Sequence, residues 1–303
     1  MNIHKSSHWM GTQLFSVDIH RKSRIVQLMS ELAIEAGKTP LYEVYACRYA
    51  RHSGRTEADN IIGGDPHSGE QPIDYYVWAI RSPDRTIVVD LGFSQAEADR
   101  RGRTFLECPS SMLRRIGIEP SMVEDVIITH LHYDHAGNQA LFPNARFHLQ
   151  DSEIAYATGR KMTHAALSHA FSVDCVVDIV RHVFGGRVVF HDGFGTFAPG
   201  IELHRIGGHT AGLQVVRVWT AAGWLLLASD AAHLYANLAG RPFPILVDMG
   251  AMLEGHRRLA ELADPDMIVP GHDPQVMDRF PAAGAGFEGS ICRLDLGPSS
   301  RGQ

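Results

Sequence analysis

Four side chains able to bind a metal ion fall within six residues, in the run His130-Leu131-His132-Tyr133-Asp134-His135. The preceding Val126-Ile127-Ile128-Thr129 is a nearly continuous apolar run, as expected of a strand buried on both faces. If extended geometry persists through His132, period-two alternation points His130 and His132 to the same side. Asp134 and His135 then fall where the chain must turn, and Gly137 permits a tight bend. Imidazole and carboxylate are ligands for first-row metals, so the chemistry on offer is metal-assisted hydrolysis. One such cluster serves one ion; a second ion needs more ligands. His209 in Gly207-Gly208-His209-Thr210, Asp230 after Trp224–Ser229, and His272 in Pro270-Gly271-His272-Asp273 supply them, each at the end of a strand-like segment. Any one of these alone usually marks a turn. The ordered set of five histidines and two aspartates suffices for two metals, each with open positions for water and substrate.

The elements that must position these residues are legible from pattern. Strand-like segments are Leu41–Ala46, Tyr75–Ile80, Thr86–Asp90, Asp125–Thr129, Ala145–Leu149, Arg187–Phe190, Ile201–Ile206, Gln214–Thr220, Trp224–Ser229 and Met267–Val269. Helices are expected at Ser23–Ala36, Phe105–Ile116 and Met252–Leu262, with residues 151–185 mostly helical. His52–Gln71 is a polar, glycine-rich stretch too long for a simple turn, and such loops are usually functional or disordered. Two runs of strands with associated helices imply an α/β (α+β) chain of two similar halves stacked face to face. The expected organisation is an N-terminal extension with a helix at 1–40, one hydrolase domain at 41–281, and a loosely packed or fraying tail at 282–303.

Composition narrows the function further. The chain has 303 residues, 45% hydrophobic and 20% charged, as in ordinary soluble globular proteins. A net charge of −6 disfavours nucleic acid as the main partner, because phosphate binding wants a basic face. Cys47, Cys108, Cys175 and Cys292 form no C-x-x-C pair and read as unpaired thiols in a reducing compartment. The N-terminus lacks the apolar core of a secretory signal, and no apolar run approaches the ~18 residues of a membrane span. A cytoplasmic protein with a small-molecule substrate, no membrane partner and a possible homodimeric state is the expectation. Eighteen histidines leave many outside the cluster. His52 and His67 flank the glycine-rich loop and could line a pocket, whereas His148, His164, His169, His182, His191, His204 and His256 read as surface or core residues.

The seven-residue set is that of the metallo-β-lactamase superfamily, whose His-x-His-x-Asp-His signature is followed by His, Asp and His ligands. The resemblance covers about Leu41 to Pro281. Within the superfamily the chain is most similar to the N-acyl-homoserine lactonase branch, on Pro72-Ile73-Asp74-Tyr75-Tyr76-Val77-Trp78, Arg115-Ile116-Gly117-Ile118-Glu119-Pro120 and Gly271-His272-Asp273. The resemblance implies an αβ/βα sandwich of two mixed β-sheets, with the metals at one edge. It places His130, His132 and His209 on one ion, Asp134, His135 and His272 on the other, and Asp230 as the bridge. The expected cofactors are two divalent ions, zinc first among them. Two ions sharing Asp230 would lower a water's pKa from 15.7 to about 7, giving hydroxide for attack on a lactone carbonyl. Asp134 would carry the proton to the leaving group. One departure stands out. Three residues after the bridging aspartate the branch typically has a tyrosine that contacts the substrate carbonyl; here the residue is His233, and Tyr235 lies two positions on. Either would assist at the oxyanion, or neither. The substitution keeps open a cyclic amide, imide, thioester or other ester as substrate, beside a homoserine or other small lactone. A metal-binding sensor without turnover is the remaining class, and the complete ligand set argues against it.

Overall fold

The computed structural model of the chain describes residues 39–299, so the expected helix at Ser23–Ala36 lies outside the described residues. Seven strands build most of the first sheet, here numbered in chain order. They are β1 (Glu43–His52), β2 (Ile73–Ser82), β3 (Arg85–Val89), β4 (Thr104–Phe105), β5 (Asp125–Ile127), β6 (Arg146–Gln150) and β7 (Val188–His191). β1, β2 and β3 run antiparallel, β3, β5, β6 and β7 run parallel, and short β4 pairs with the end of β1. The second sheet holds β8 (Phe194–Ala198), β9 (Ile201–Arg205), β10 (Gln214–Thr220), β11 (Gly223–Ser229) and β12 (Ile268–Pro270). It is antiparallel except for the parallel pair β11–β12.

Side-chain alternation sorts the strands' residues into three layers of core. Tyr76, Trp78 and Ile80 of β2 meet Leu203 of β9, Val216 and Val218 of β10 and Leu227 of β11 between the sheets. The other face of β2, with Tyr75, Val77 and Ala79, packs under helices carrying Met112, Leu113 and Ile179. Leu226 and Ala228 of β11 pack outward on Leu259 and Leu262 of the helix Met249–Leu262. Full burial of each such aliphatic side chain contributes about 1.5–3 kcal/mol, so the face-to-face register of the sheets is firmly specified. The result is the sandwich of two mixed sheets flanked by helices that the sequence implied.

Several elements differ from the sequence reading. The helix expected from Phe105 starts at Pro109, which takes the first helical position, and Thr104–Phe105 is strand instead. An unanticipated helix at Gln95–Arg101 is capped by Ser94, whose side chain accepts from the Glu97 amide. The polar stretch after His52 contains a short helix, Glu57–Asn60. Residues 281–299 are no loose tail. They hold β13 (Ile291–Arg293), which pairs antiparallel with β1, and Ile291, Cys292 and Leu294 are fully buried or nearly so. The alternation of a three-residue strand is too short to stand out among small residues. All four cysteines are free. No helix among the described residues is long and apolar enough to cross a membrane.

Candidate metal centre

The C-terminal ends of five strands converge at one edge of the sandwich. β3 delivers Asp90, β5 the run His130–His135, β9 the loop with His209, β11 Asp230 and β12 His272. All seven residues singled out by spacing are buried there. Their ligand atoms fall into two sets. His209 Nε2 lies 2.9 Å from His132 Nδ1, 3.2 Å from His130 Nε2 and 3.2 Å from Asp230 Oδ2. On the other side Asp230 Oδ1 lies 3.3 Å from His135 Nε2 and 3.1 Å from His272 Nε2, with Asp134 Oδ2 at 3.4 and 3.6 Å from the same two nitrogens. Asp230 thus turns one oxygen to each set.

Buried partners fix the orientation of the imidazoles, because the second ring nitrogen decides which way the first presents its lone pair. His209 Nδ1 donates to the Ile245 carbonyl at 2.6 Å and His272 Nδ1 to the Asp74 carbonyl at 2.8 Å. His135 Nδ1 donates to Asp90 Oδ2 at 2.7 Å. Asp90 also accepts from the Thr129 amide and hydroxyl, and Thr129 Oγ1 stands 2.9 Å from Ser229 Oγ. Asp90 and Ser229 both hold positive φ, at 60° and 44°, conformations that cost about 1–3 kcal/mol each and persist where the surroundings over-determine them. Thr129 is the tie between these two strained strand ends. A buried carboxylate, Glu153, performs a similar service one layer out: it accepts from Leu131 N, Thr210 Oγ1 and Gly212 N, joining the loops that carry His132 and His209.

The residues fit two divalent cations. His135 Nε2 and Asp230 Oδ1 are buried without a hydrogen-bond partner among the described residues, although they face each other across the second set. Burial works against a charged His135, yet the carboxylates of Asp230, Asp134 and Asp90 outweigh it and hold the imidazole well above its ordinary pKa. A centre that would take up protons in this way is one that divalent ions can neutralise instead. Backbone room is also made for it: a Cβ on Gly271 would stand 2.6 Å from Asp230 Oδ1.

Two further residues named from the sequence part company. His233 Nε2 lies 2.8 Å from Asp230 Oδ2, and its ring stacks on Phe243 with centroids 3.8 Å apart. Burial depresses its pKa to about 3, so it is a neutral donor toward the aspartate, and Asp230, His233 and His272 form a third possible ligand group. Tyr235 does not reach the site. Its amide is held by Asp273 Oδ2 at 2.9 Å, the chain enters the short helix Tyr235–Leu238, and its ring packs beneath Arg279 against the inter-sheet core. Tyr235 Oη is buried with no partner among the described residues.

A pocket opens above the two sets, lined also by Arg55, Arg101, Arg103, Tyr75, Tyr133 and His169. Sequence reading found none of these six, and it read His169 as ordinary. His52 stands behind the wall, 3.1 Å from Arg103 Nη1, whereas His67 is exposed and away from the pocket. Part of the expected helical insert forms the wall, with Phe171 packing edge-on against His132 at 4.6 Å.

A family profile described as Metallo-beta-lactamase superfamily matches residues 72–272. The chain belongs to the metallo-β-lactamase superfamily. In sequence, an N-acyl homoserine lactonase from Bacillus sp is 26% identical over 241 residues, covering 73% of this chain and 90% of that protein. A probable metallo-hydrolase from Mycobacterium tuberculosis is 25% identical over 240 residues, covering 66% and 75%. In structure, a dizinc quorum-quenching lactonase in complex with a product superposes with a TM-score of 0.65 at 17% identity, covering 88% of this chain and 97% of that one. Superfamily membership and the two-set cluster together support a metal-dependent hydrolase acting on a small substrate.

Proposed function

We propose that the chain is a dinuclear zinc hydrolase that opens a lactone ring. The observation that carries this reading is Asp230, placed between two three-residue sets at the floor of a pocket, one carboxylate oxygen to each. His130, His132 and His209 would hold one ion, Asp134, His135 and His272 the other. Nitrogen-rich sets with one or two carboxylate oxygens suit zinc. When bound, the pair supplies Lewis acidity for a carbonyl and a water of near-neutral pKa. The rest falls to the chain's own residues. Asp134 lines the pocket with Oδ2 3.4 Å from His135 Nε2 and 3.6 Å from His272 Nε2, and its carboxylate is placed to carry a proton to the leaving alkoxide. His233 holds Asp230 Oδ2 in place through its Nε2 proton. Tyr75 and Tyr133, whose hydroxyls meet at 3.0 Å, wall off one side from water. The lactone as substrate is supported by sequence relatives named as N-acyl homoserine lactonases.

A second reading has its own observation. With Tyr235 turned into the core and His233 engaged with Asp230, no tyrosine hydroxyl from this segment stands over the floor, which favours a cyclic imide or thioester. The test is a turnover panel on metal-loaded protein, with elemental analysis of the same sample. About two zinc ions per chain and hydrolysis of at least one lactone class are expected. Turnover of an imide or thioester with silence on every lactone selects the second reading.

A further inference from the structure

The mouth of the pocket carries three guanidinium groups, and hydrolysis of an uncharged lactone would use none of them. Arg55 lies in the loop after β1, Arg101 ends the helix before β4, and Arg103 immediately precedes β4; all three line the pocket. Arg101 is committed. It pairs with Glu97, donates to the His169 carbonyl at 2.9 Å, and lies 3.7 Å over the Tyr133 ring. The other two have only neutral partners. Arg55 donates through Nε to Asn60 Oδ1 at 2.6 Å and through Nη2 to the Asp59 carbonyl, and its Nη1 approaches His52. Asp59's own carboxylate is engaged by the amide and hydroxyl of Thr56. Arg103 donates to the Arg101 carbonyl at 2.7 Å, reaches Tyr133 Oη at 3.3 Å and meets His52 Nε2 at 3.1 Å.

Among the described residues, then, two partly buried guanidinium groups share a pocket wall and neither bonds a carboxylate. Desolvation without a counter-charge is unfavourable, and burial already pulls Arg55 below its ordinary pKa. Arginine's planar fork matches carboxylate and phosphate oxygens better than any other side chain. The position is equally specific. Tyr133 Oη contacts Arg103 and Tyr75 Oη, and the Tyr75 ring stands 5.1 Å from that of His272. Two phenol side chains therefore separate this positive wall from the second ligand set.

We propose that Arg55 and Arg103 bind an anionic group that the substrate carries away from the bond to be cleaved, so that the natural substrate is a lactone bearing a carboxylate or phosphate. The inference rests on the floor being the hydrolytic centre described above. Its test is calorimetric and needs no turnover. Zinc-loaded protein is titrated with dicarboxylates from glutarate to suberate, each against the monocarboxylate of the same chain length, and with the matching ω-phosphonocarboxylates. Either end can occupy the floor, and only a second charge can reach the arginines. At the best length the doubly charged probe is expected to bind at least about tenfold tighter than its singly charged partner. The series whose ratio falls further when both arginines become methionine identifies the group. In Arg55→Met/Arg103→Met the ratio should fall to about one, and Arg55→Lys/Arg103→Lys, which guards against misfolding of the first variant, should keep an intermediate ratio. A ratio near one at every length in the wild type, or an undiminished ratio in the methionine variant, overturns the proposal. An intact ratio in a protein that hydrolyses no lactone overturns the lactone reading and leaves the anion site standing.

Discussion

Two histidines, one in the ligand cluster beneath the pocket and one behind its wall, show opposite electrostatics. His135, on the floor, is surrounded by Asp90, Asp134 and Asp230, which hold it well above its ordinary pKa despite burial. His52, behind the rim, is driven down to about 4, first by burial and then by Arg103 and Arg55, with Asp59 opposing weakly. The same side chain is pushed in opposite directions by its neighbours' charge. The floor has carboxylates in want of cations, and the rim has cations in want of an anion. A polarised pocket of this kind orients a substrate end to end before any bond is broken.

The sharpest way to break the comparison is to remove the floor's central charge. Asp230→Ala should abolish binding of the ion pair and lower turnover by roughly 10²–10³-fold or more, the scale of losing a main electrostatic contact to the transition state. Elemental analysis reads the metals, and an unchanged count of two would show that Asp230 is not the bridge. A smaller effect tests one half of the floor. Asp90→Asn leaves His135 without its carboxylate partner and should weaken one of two zinc-binding steps by about 10–100-fold. Competitive metal titration resolves the steps, and equal weakening of both would mean that Asp90 supports the fold rather than one ion. The smallest effect sits at the rim. Because the folded-state pKa of His52 lies below the unfolded value, the unfolded chain binds the extra proton, so this histidine costs stability as pH falls from about 6.5 toward 4 and costs none above that window. His52→Gln should flatten the thermal midpoint between pH 4.5 and 7 relative to wild type; a parallel shift at both pH values would rule out a depressed His52 pKa as the source.

The two ends also differed in how far the sequence revealed them. Floor ligands sit at strand ends, where local spacing is rigidly coupled to direction, so the run from His130 to His135 and the later Gly-His and Ser-Asp pairs declared themselves. Gly137 is required for a reason other than a tight bend. Its φ is ordinary, and what demands glycine is close approach, since a Cβ there would collide with the Gly92 carbonyl. The rim was invisible because Arg55, Arg101 and Arg103 read locally as solvated charges, and only the pairing of β4 with the end of β1 brings them together. Glu153 escaped for the same cause: its partners lie 22 to 59 residues away. Tyr235 failed in the opposite sense, because proximity in sequence to Asp230 says nothing about a helix that starts at Tyr235 itself and turns the ring inward.

The short strand β13 has a practical consequence. It covers Tyr45–Cys47 on the outer edge of β1, and both strands lie beyond the 72–272 region that the family profile spans. A chain trimmed to that region would lose β1 and bare the edge of β2, and one trimmed at Pro281 would bare β1 itself. Either would present a row of unpaired backbone donors and acceptors flanked by apolar side chains, the usual template for strand-by-strand self-association. Fragments cut to the family's limits should therefore precipitate or oligomerise, and display or fusion formats of this protein should keep residues through Leu294 intact.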